Sequence, residues 1–418
     1  MAADGRRAGW ARWLRRDWLP RRKWARSLEP LDWVAGGFLL AGLVLVATGL
    51  LPRTQAAETV RRVTPLLIFL GSVIILAELT AQAEVFDVVA ARLTIWARGK
   101  FLALFAMCVV FASVTTAFLN LDTTAVLLTP VMLATATKAG IPSMPLAMLT
   151  VWLANTASLL LPVSNLTNLL AADRVDLAPA EFASRMILPQ TASVLATAGC
   201  LWLFYWRRRR RGRERYTPPP PHNAGDQVLF WVAAVACAAF VVLVLVGTSL
   251  PVSAVICTVP VVGVFLLRAP KALTWRMVPI RLFAFVIGSF LVVGTIARHG
   301  LGHLLAGLVG TDPGTAGILR AGALGASLSN LLNNLPSYVA GEAAIIPGNH
   351  DQLLGLLIGT NVGPLVTPWA SLAIILWYEG CRRSGVKVSW RAFAATGAVT
   401  ATATLLVSLA ALIATAHG

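Results

Sequence analysis

Eight stretches of sixteen to twenty-three residues run through this chain almost without charge: 34–51, 63–79, 101–119, 186–206, 228–247, 252–267, 280–297 and 392–414. A bilayer core about 30 Å thick needs roughly 20 apolar residues as a helix, so each reads as a membrane-crossing segment. Composition closes the soluble alternative. Hydrophobic residues make up 57% of the chain and charged residues 13%, against about 25% charged in ordinary globular proteins. So little charge cannot coat a water-facing surface.

The net charge of +17 would point to nucleic acid in a soluble protein, but the placement of the charges excludes that partner. Residues 1–30 hold nine of the thirty-five Lys and Arg, and residues 207–215 hold seven. Basic clusters flanking apolar runs mark cytoplasmic loops and sit against anionic headgroups. With residues 1–30 inside and a crossing at each run, 28 of the 35 basic residues fall on one side. The expected protein is therefore multi-pass in the cell membrane, with a cytoplasmic N-terminus and an outer C-terminus. Trp10, Trp13, Trp18 and Trp24 among the first arginines predict a segment lying along the inner interface rather than a cleaved signal. Cys108, Cys200, Cys237, Cys257 and Cys381 show no CxxC and no Cys/His cluster. They read as packing residues, with neither a disulfide framework nor a structural metal indicated.

Residues 207–227 start with arginines and continue through Pro218–Pro221, an extended cytoplasmic linker by composition. Four regions follow: a basic segment 1–30, a first transmembrane repeat 31–206, the linker 207–227 and a second repeat 228–418. Each repeat contains the same order of interruptions. Asn155 precedes Pro162 by seven residues, and Asn361 precedes Pro368 by seven. Upstream of each lies another polar break, Asn120-Leu121-Asp122-Thr123-Thr124 and Asn330 to Ser337. Unwound backbone survives in lipid only where protein or water satisfies it, so the four breaks are expected to meet inside. Paired interruptions in two halves point to a transporter site near the midplane.

The fold read from this pattern is all-α: inverted repeats, each with one re-entrant hairpin and one broken helix, and about nine or ten full spans. The first hairpin covers 101–138, with a second arm taken as 125–136, and the second hairpin covers 317–346. One mismatch stands out: three apolar runs precede the second hairpin and only two precede the first.

An acid in the middle of an apolar segment costs roughly 2.5–3.5 kcal/mol on insertion scales, so Asp122 is the expected proton-coupling residue, with capping of the following helix as the alternative role. Asn120, Thr123, Thr124, Asn155, Thr156, Ser158, Asn165, Asn333, Asn334, Asn361 and Thr367 supply amides and hydroxyls for a small polar solute. Glu342 is a second proton-carrier candidate. Glu78, Glu84 and Asp87 read as a solvated face or partners for Arg92, and His299 with His303 as an interfacial helix face. No HExxH, GxSxG or P-loop pattern is present, which excludes the common enzyme classes.

At these residues the sequence resembles the arsenite permease family, the arsenical-resistance membrane pumps of the wider ion-transporter superfamily. The block from Asn155 through Pro162 and Asn165 to Asn168 is similar to that family's most recognisable stretch. Asp122 to Pro130, Asn333-Asn334-Leu335-Pro336 and Gly363 to Pro368 with Ser371 are further similar blocks. The resemblance implies export of arsenite or antimonite as neutral trihydroxides in exchange for protons, without a cofactor, and in some members with a soluble ATPase partner. This chain departs from the family where Asn155 and Asn361 replace a common carboxylate and Leu365 a common Lys. A sodium/proton antiporter or sodium-coupled anion transporter of the same superfamily is the alternative.

Overall fold

The computed structural model describes residues 30–416 apart from 119, 176, 208–214, 297–298 and 300–301. The basic N-terminal segment with its four tryptophans, most of the arginine run and the C-terminal 417–418 lie outside the described residues, as does the His303 side chain. Seventeen α-helices make up the rest, with short 3-10 turns and no strand among the described residues.

The first repeat consists of α1 (Pro30–Ala47), α2 (Arg53–Gln82), α3 (Val85–Trp96), α4 (Phe101–Phe118), α5 (Leu121–Lys138), α6 (Ser143–Thr156), α7 (Leu166–Val175) and α8 (Pro179–Leu201). Then comes α9 (Gln227–Leu245). The second repeat consists of α10 (Leu250–Arg268), α11 (Ile280–Ile296), α12 (Gly302–Val309), α13 (Thr315–Leu331), α14 (Asn334–Glu342), α15 (His350–Val362), α16 (Leu372–Arg383) and α17 (Trp390–Ala416). In both, two spans lead to a short helix, a hairpin (α4–α5, α13–α14), a broken helix (α6/α7, α15/α16) and a last span.

The mismatch ahead of the hairpins resolves at α9. It has no counterpart in the first repeat, and as a single extra crossing it turns the second repeat over. Packing mirrors this inversion: α1 lies on α11 while α2 lies on α10, and the last spans α8 and α17 lie on each other. Close approach depends on glycine. A Cβ on Gly359 would land on the Gly322 carbonyl where α15 crosses α13, and one on Gly288 would strike the α1 backbone at Phe38 and Leu39. Small residues at such crossings replace the hydrophobic drive that lipid removes.

Ion pairs mark the two ends of the bundle. At one end Glu78 meets Arg383, Glu84 meets His222 and Arg268 meets Asp226. The Pro-rich linker is strapped across this end, with the Tyr216 N–H donating to the Gly99 carbonyl at 2.8 Å and its hydroxyl to the Thr94 carbonyl at 2.6 Å. At the opposite end Arg174 meets Glu342 and Arg185 meets Asp351. These are the linker face and the far face. Both ends of the first hairpin lie on the linker face, where Lys138 reaches Asp87, and the second hairpin ends on the far face at Glu342.

Five helices are long and apolar enough to cross a membrane, and three shorter apolar helices accompany them. One of the five, Phe101–Phe118, is the first arm of a hairpin and turns back at Asn120. Leu102, Val110 and Val114 on it, like Leu40, Trp231, Val259 and Leu406 elsewhere, face outward as the apolar belt of a multi-pass membrane protein. The second arm is longer than the 12 residues expected. It runs for 18 residues, Leu121–Lys138, because Asp122, Thr123 and Thr124, read as a break, form the first turn of a capped helix.

Candidate functional site

Each hairpin tip is an asparagine in a backbone conformation that L residues rarely adopt: Asn120 has φ +156° and Asn333 has φ +129°. Asn120 Oδ1 accepts the Thr123 N–H at 2.7 Å and so caps α5. Asn333 instead donates from Nδ2 to the Trp369 carbonyl at 2.9 Å, while the Asn334 N–H donates to the Ala370 carbonyl at 2.8 Å. The second hairpin tip is thereby tied to the second break. In the first repeat the tie runs from the break to the hairpin: Ser164 Oγ donates to the Ala117 carbonyl at 2.6 Å.

The breaks free backbone groups that lipid cannot solvate, and buried amide side chains take them up. In the first break, Asn168 Nδ2 donates to the Ser158 and Leu161 carbonyls at 2.6 and 2.9 Å. Gln190 of α8 accepts the Leu159 N–H and donates to the Ala157 carbonyl. Ser158 Oγ donates to the Asn155 carbonyl, and Thr156 Oγ1 donates to the Trp152 carbonyl while accepting from Thr197. In the second break Asn330 has Asn168's role. Its Oδ1 accepts the Val366 and Thr367 N–H groups, its Nδ2 donates to the Gly363 carbonyl, and its own carbonyl accepts from Thr367 Oγ1. Asn168, Gln190 and Asn330 were not singled out as site residues from sequence. Their signal was an amide in or beside apolar sequence, which marks a bonding need without naming its partner.

The two breaks are also stitched to each other. Asn361 Oδ1 accepts from Asn165 Nδ2 at 2.9 Å and from Thr167 Oγ1 at 2.7 Å, and Asn361 Nδ2 donates to Asn168 Oδ1 at 2.6 Å. The oxygen and the nitrogen of the Asn361 amide are both engaged in joining one repeat to the other.

Beside this clasp lies a small cavity. The first residue of each of four half-helices lines it: Leu121 of α5, Leu166 of α7, Asn334 of α14 and Leu372 of α16. Four helix N-termini therefore converge on one space, each presenting the positive end of its dipole. Asp122, Asn165, Asn333 and Ser289 add polar side chains, and Phe285 and Phe290 of α11 form an apolar wall. Such a pocket suits a small solute rich in oxygen.

Of the residues singled out from sequence, Asp122, Asn165, Asn333 and Asn334 line this cavity. Asn120, Thr123 and Thr124 are buried at the hairpin tip beside it, while Thr156, Ser158, Asn361 and Thr367 hold the breaks together and Asn155 Nδ2 donates to the Val151 carbonyl within α6. Asp122 is the one charged side chain in the fully buried class among the described residues, at 4% exposure, and one of its carboxylate oxygens has no partner. The Thr123 and Thr124 hydroxyls and Asn155 Oδ1 are likewise buried without partners. Counting from the hairpin asparagines, the position equivalent to Asp122 in the second repeat is Leu335, which also lines the cavity. The shape is two-fold and the charge is not.

Other expected positions fall elsewhere. Glu78, Glu84 and Asp87 pair with Arg383, His222 and Lys138 rather than with Arg92, because the linker and the ends of α5 and α16 reach them first. Glu342 ends α14 at 3.6 Å from Arg174. His299 Nδ1 lies 2.8 Å from the Thr295 carbonyl. None of the five cysteines lines the cavity, and among the described residues no group of three His, Cys, Asp or Glu could hold a metal ion. On the linker face, outside the spans, Asp226 caps α9. The Leu229 N–H and the Arg268 guanidinium hold its carboxyl below the usual range.

Comparison with known proteins places this geometry in context. Residues 29–374 match the citrate transporter family. The arsenical pump membrane protein of Yersinia enterocolitica is 30% identical over 367 residues, covering 82% of this chain and 84% of that one. The Escherichia coli protein of the same name is 29% identical over the same shares. Among solved structures, the Alcanivorax borkumensis YdaH transporter, described as having an unusual topology, is similar in fold: TM-score 0.50, 15% identity, 93% of this chain and 97% of that one.

Proposed function

Starting from a chain that belongs to the citrate transporter family, and within it to the arsenical pump membrane proteins, we propose that it exports arsenite or antimonite across the cell membrane in exchange for protons. The linker face is the cytoplasmic one in this reading, and the N-terminus lies on that side. The observation that carries it is the convergence of four half-helix N-termini on a cavity with a single buried carboxylate.

Near neutral pH arsenous acid is mostly an uncharged trihydroxide, three O–H donors around oxygens that also accept. The N–H groups of the half-helices and the amides of Asn165 and Asn334 donate to those oxygens, while an ionised Asp122 accepts from a hydroxyl. A protonated Asp122 loses that acceptor, so proton and solute compete for one carboxylate. Competition of this kind makes an exchanger: the site travels outward with solute and returns with a proton. A neutral solute gains nothing from the membrane potential, whereas each returning proton is driven by about 2.3 kcal/mol per 100 mV. A soluble ATPase partner, which the family resemblance implies for some members, would dock on the basic linker face.

Arsenite uptake into everted vesicles under an imposed pH gradient tests this. Uptake that collapses with the gradient, together with arsenite-dependent proton movement, is the expected result; uptake indifferent to pH would remove the reading. The unpartnered oxygens of Asp122, Thr123, Thr124 and Asn155 form an oxygen-only set, which favours sodium coupling as the second reading. A requirement for a sodium gradient in the same vesicles would select it.

A further inference from the structure

Asn334, Tyr338 and Glu342 stand at four-residue intervals on α14, so they share one helix face and lead about 12 Å along it. At the inner end Asn334 lines the cavity that holds Asp122. At the outer end Glu342, paired with Arg174 of α7, opens on a second small cavity, bounded by the turn at Pro347 and Gly348 and by His350. Between them Tyr338 is fully buried, packed with Ala171, Ala172, Leu353 and Leu357. It lies within electrostatic reach of both Glu342 and Arg174.

The Tyr338 hydroxyl has no hydrogen-bond partner, and neither does the neighbouring Ser337 hydroxyl. A buried tyrosine normally finds a partner for its O–H, and leaving one unmade costs about 1–3 kcal/mol. Phenylalanine would fill the same apolar slot without that cost. An unpartnered buried hydroxyl within reach of the Glu342–Arg174 pair is one that a bridging water would satisfy.

We propose that this face of α14, from Glu342 past the Tyr338 hydroxyl to Asn334, is the water-lined route by which protons pass between the far-face solvent and Asp122. The route rests on the exchanger reading above. At Tyr338 the hydroxyl oxygen takes the excess proton of a protonated water on the Glu342 side, leaving neutral water there, as its own proton leaves to a water on the Asn334 side, which becomes the protonated one. One O–H bond forms and one breaks, the charge is unchanged, and rotation of the hydroxyl resets it. Arg174, His350 and the Arg185–Asp351 pair are the other charged or titratable groups around the mouth. Tyr338 is a positioning residue here, since it touches neither solute nor Asp122.

The test uses the full chain in liposomes containing a pH-sensitive dye. Arsenite-driven proton flux is compared with arsenite counterflow at equal pH, which needs no net proton transfer. In Tyr338→Phe the ratio of coupled flux to counterflow is expected to fall at least tenfold while the thermal midpoint holds or rises. Glu342→Gln, at the partly exposed rim, is expected to lower the same ratio three- to tenfold even if the first variant folds poorly. A wild-type ratio in either folded variant overturns the route. Parallel loss of both activities in Tyr338→Phe also overturns it, making that residue part of the packing. Absence of arsenite-driven proton movement in the wild type instead fails the exchanger reading, and the route falls with it.

Discussion

Asp122 and Asn361 divide the chemistry of the interior between them. The carboxylate is buried with an unpartnered oxygen and lines the cavity, a costly placement that coupling explains and packing does not. Asp122→Asn keeps the shape and the capped helix while removing the titration. Coupled transport in vesicles is expected to drop at least a hundredfold with an unchanged thermal midpoint, and wild-type transport in that variant would exclude Asp122 as carrier. Asn361 carries three cross-repeat hydrogen bonds. Asn361→Leu strands all three partners, so thermal unfolding in detergent is expected to show a loss of about 2–6 kcal/mol, at roughly 0.6–2 kcal/mol per intramembrane bond. From sequence both residues were visible as polar interruptions, yet their roles were not separable. Whether an amide faces a cavity or another amide depends on which helix arrives opposite, and that is set by contacts some 190 residues away.

At the level of elements, the hairpins and broken helices were legible because lipid makes every polar interruption expensive, so Asn120, Asn155, Asn333 and Asn361 stand out against apolar sequence. Helix ends were less legible. The stretch from Asp122 to Thr124 looks like a break and is a first turn, since an N-cap and its following polar residues have the same composition as a loop. Ion-pair partners of Glu84 and Asp87 were not legible at all, because the linker reaches the first and the end of α5 the second. The α13–α15 crossing depends on Gly359 against Gly322, where any side chain meets backbone that cannot yield. Gly359→Val is expected to cost about 3 kcal/mol or more and to abolish a monodisperse peak in size-exclusion chromatography. Gly294→Ala, with open space around it, is the control and should leave the peak intact.

For the whole molecule, the proposed assignment of the linker face to the cytoplasm and the far face to the exterior rests on the positive bias of the loops. Single cysteines at Ala224 on the linker and at Gly348 beside the far-face cavity report it directly, in a background with the native cysteines replaced. An impermeant thiol reagent on intact cells is expected to label the Gly348 position alone, and labelling at Ala224 instead would reverse the orientation and with it the direction of transport. The arrangement of the repeats was legible as matched interruptions; the identity of the unmatched helix was not, since α9 is as apolar as its neighbours and only the mirrored packing of α1 with α11 and α2 with α10 singles it out. Its consequence is one of parity. An odd count of crossings ahead of the second copy decides which way up that copy is inserted, so a gain or loss of one crossing there would send Asn361 and Asn165 into the bilayer pointing the same way, and the half-molecules could no longer shake hands.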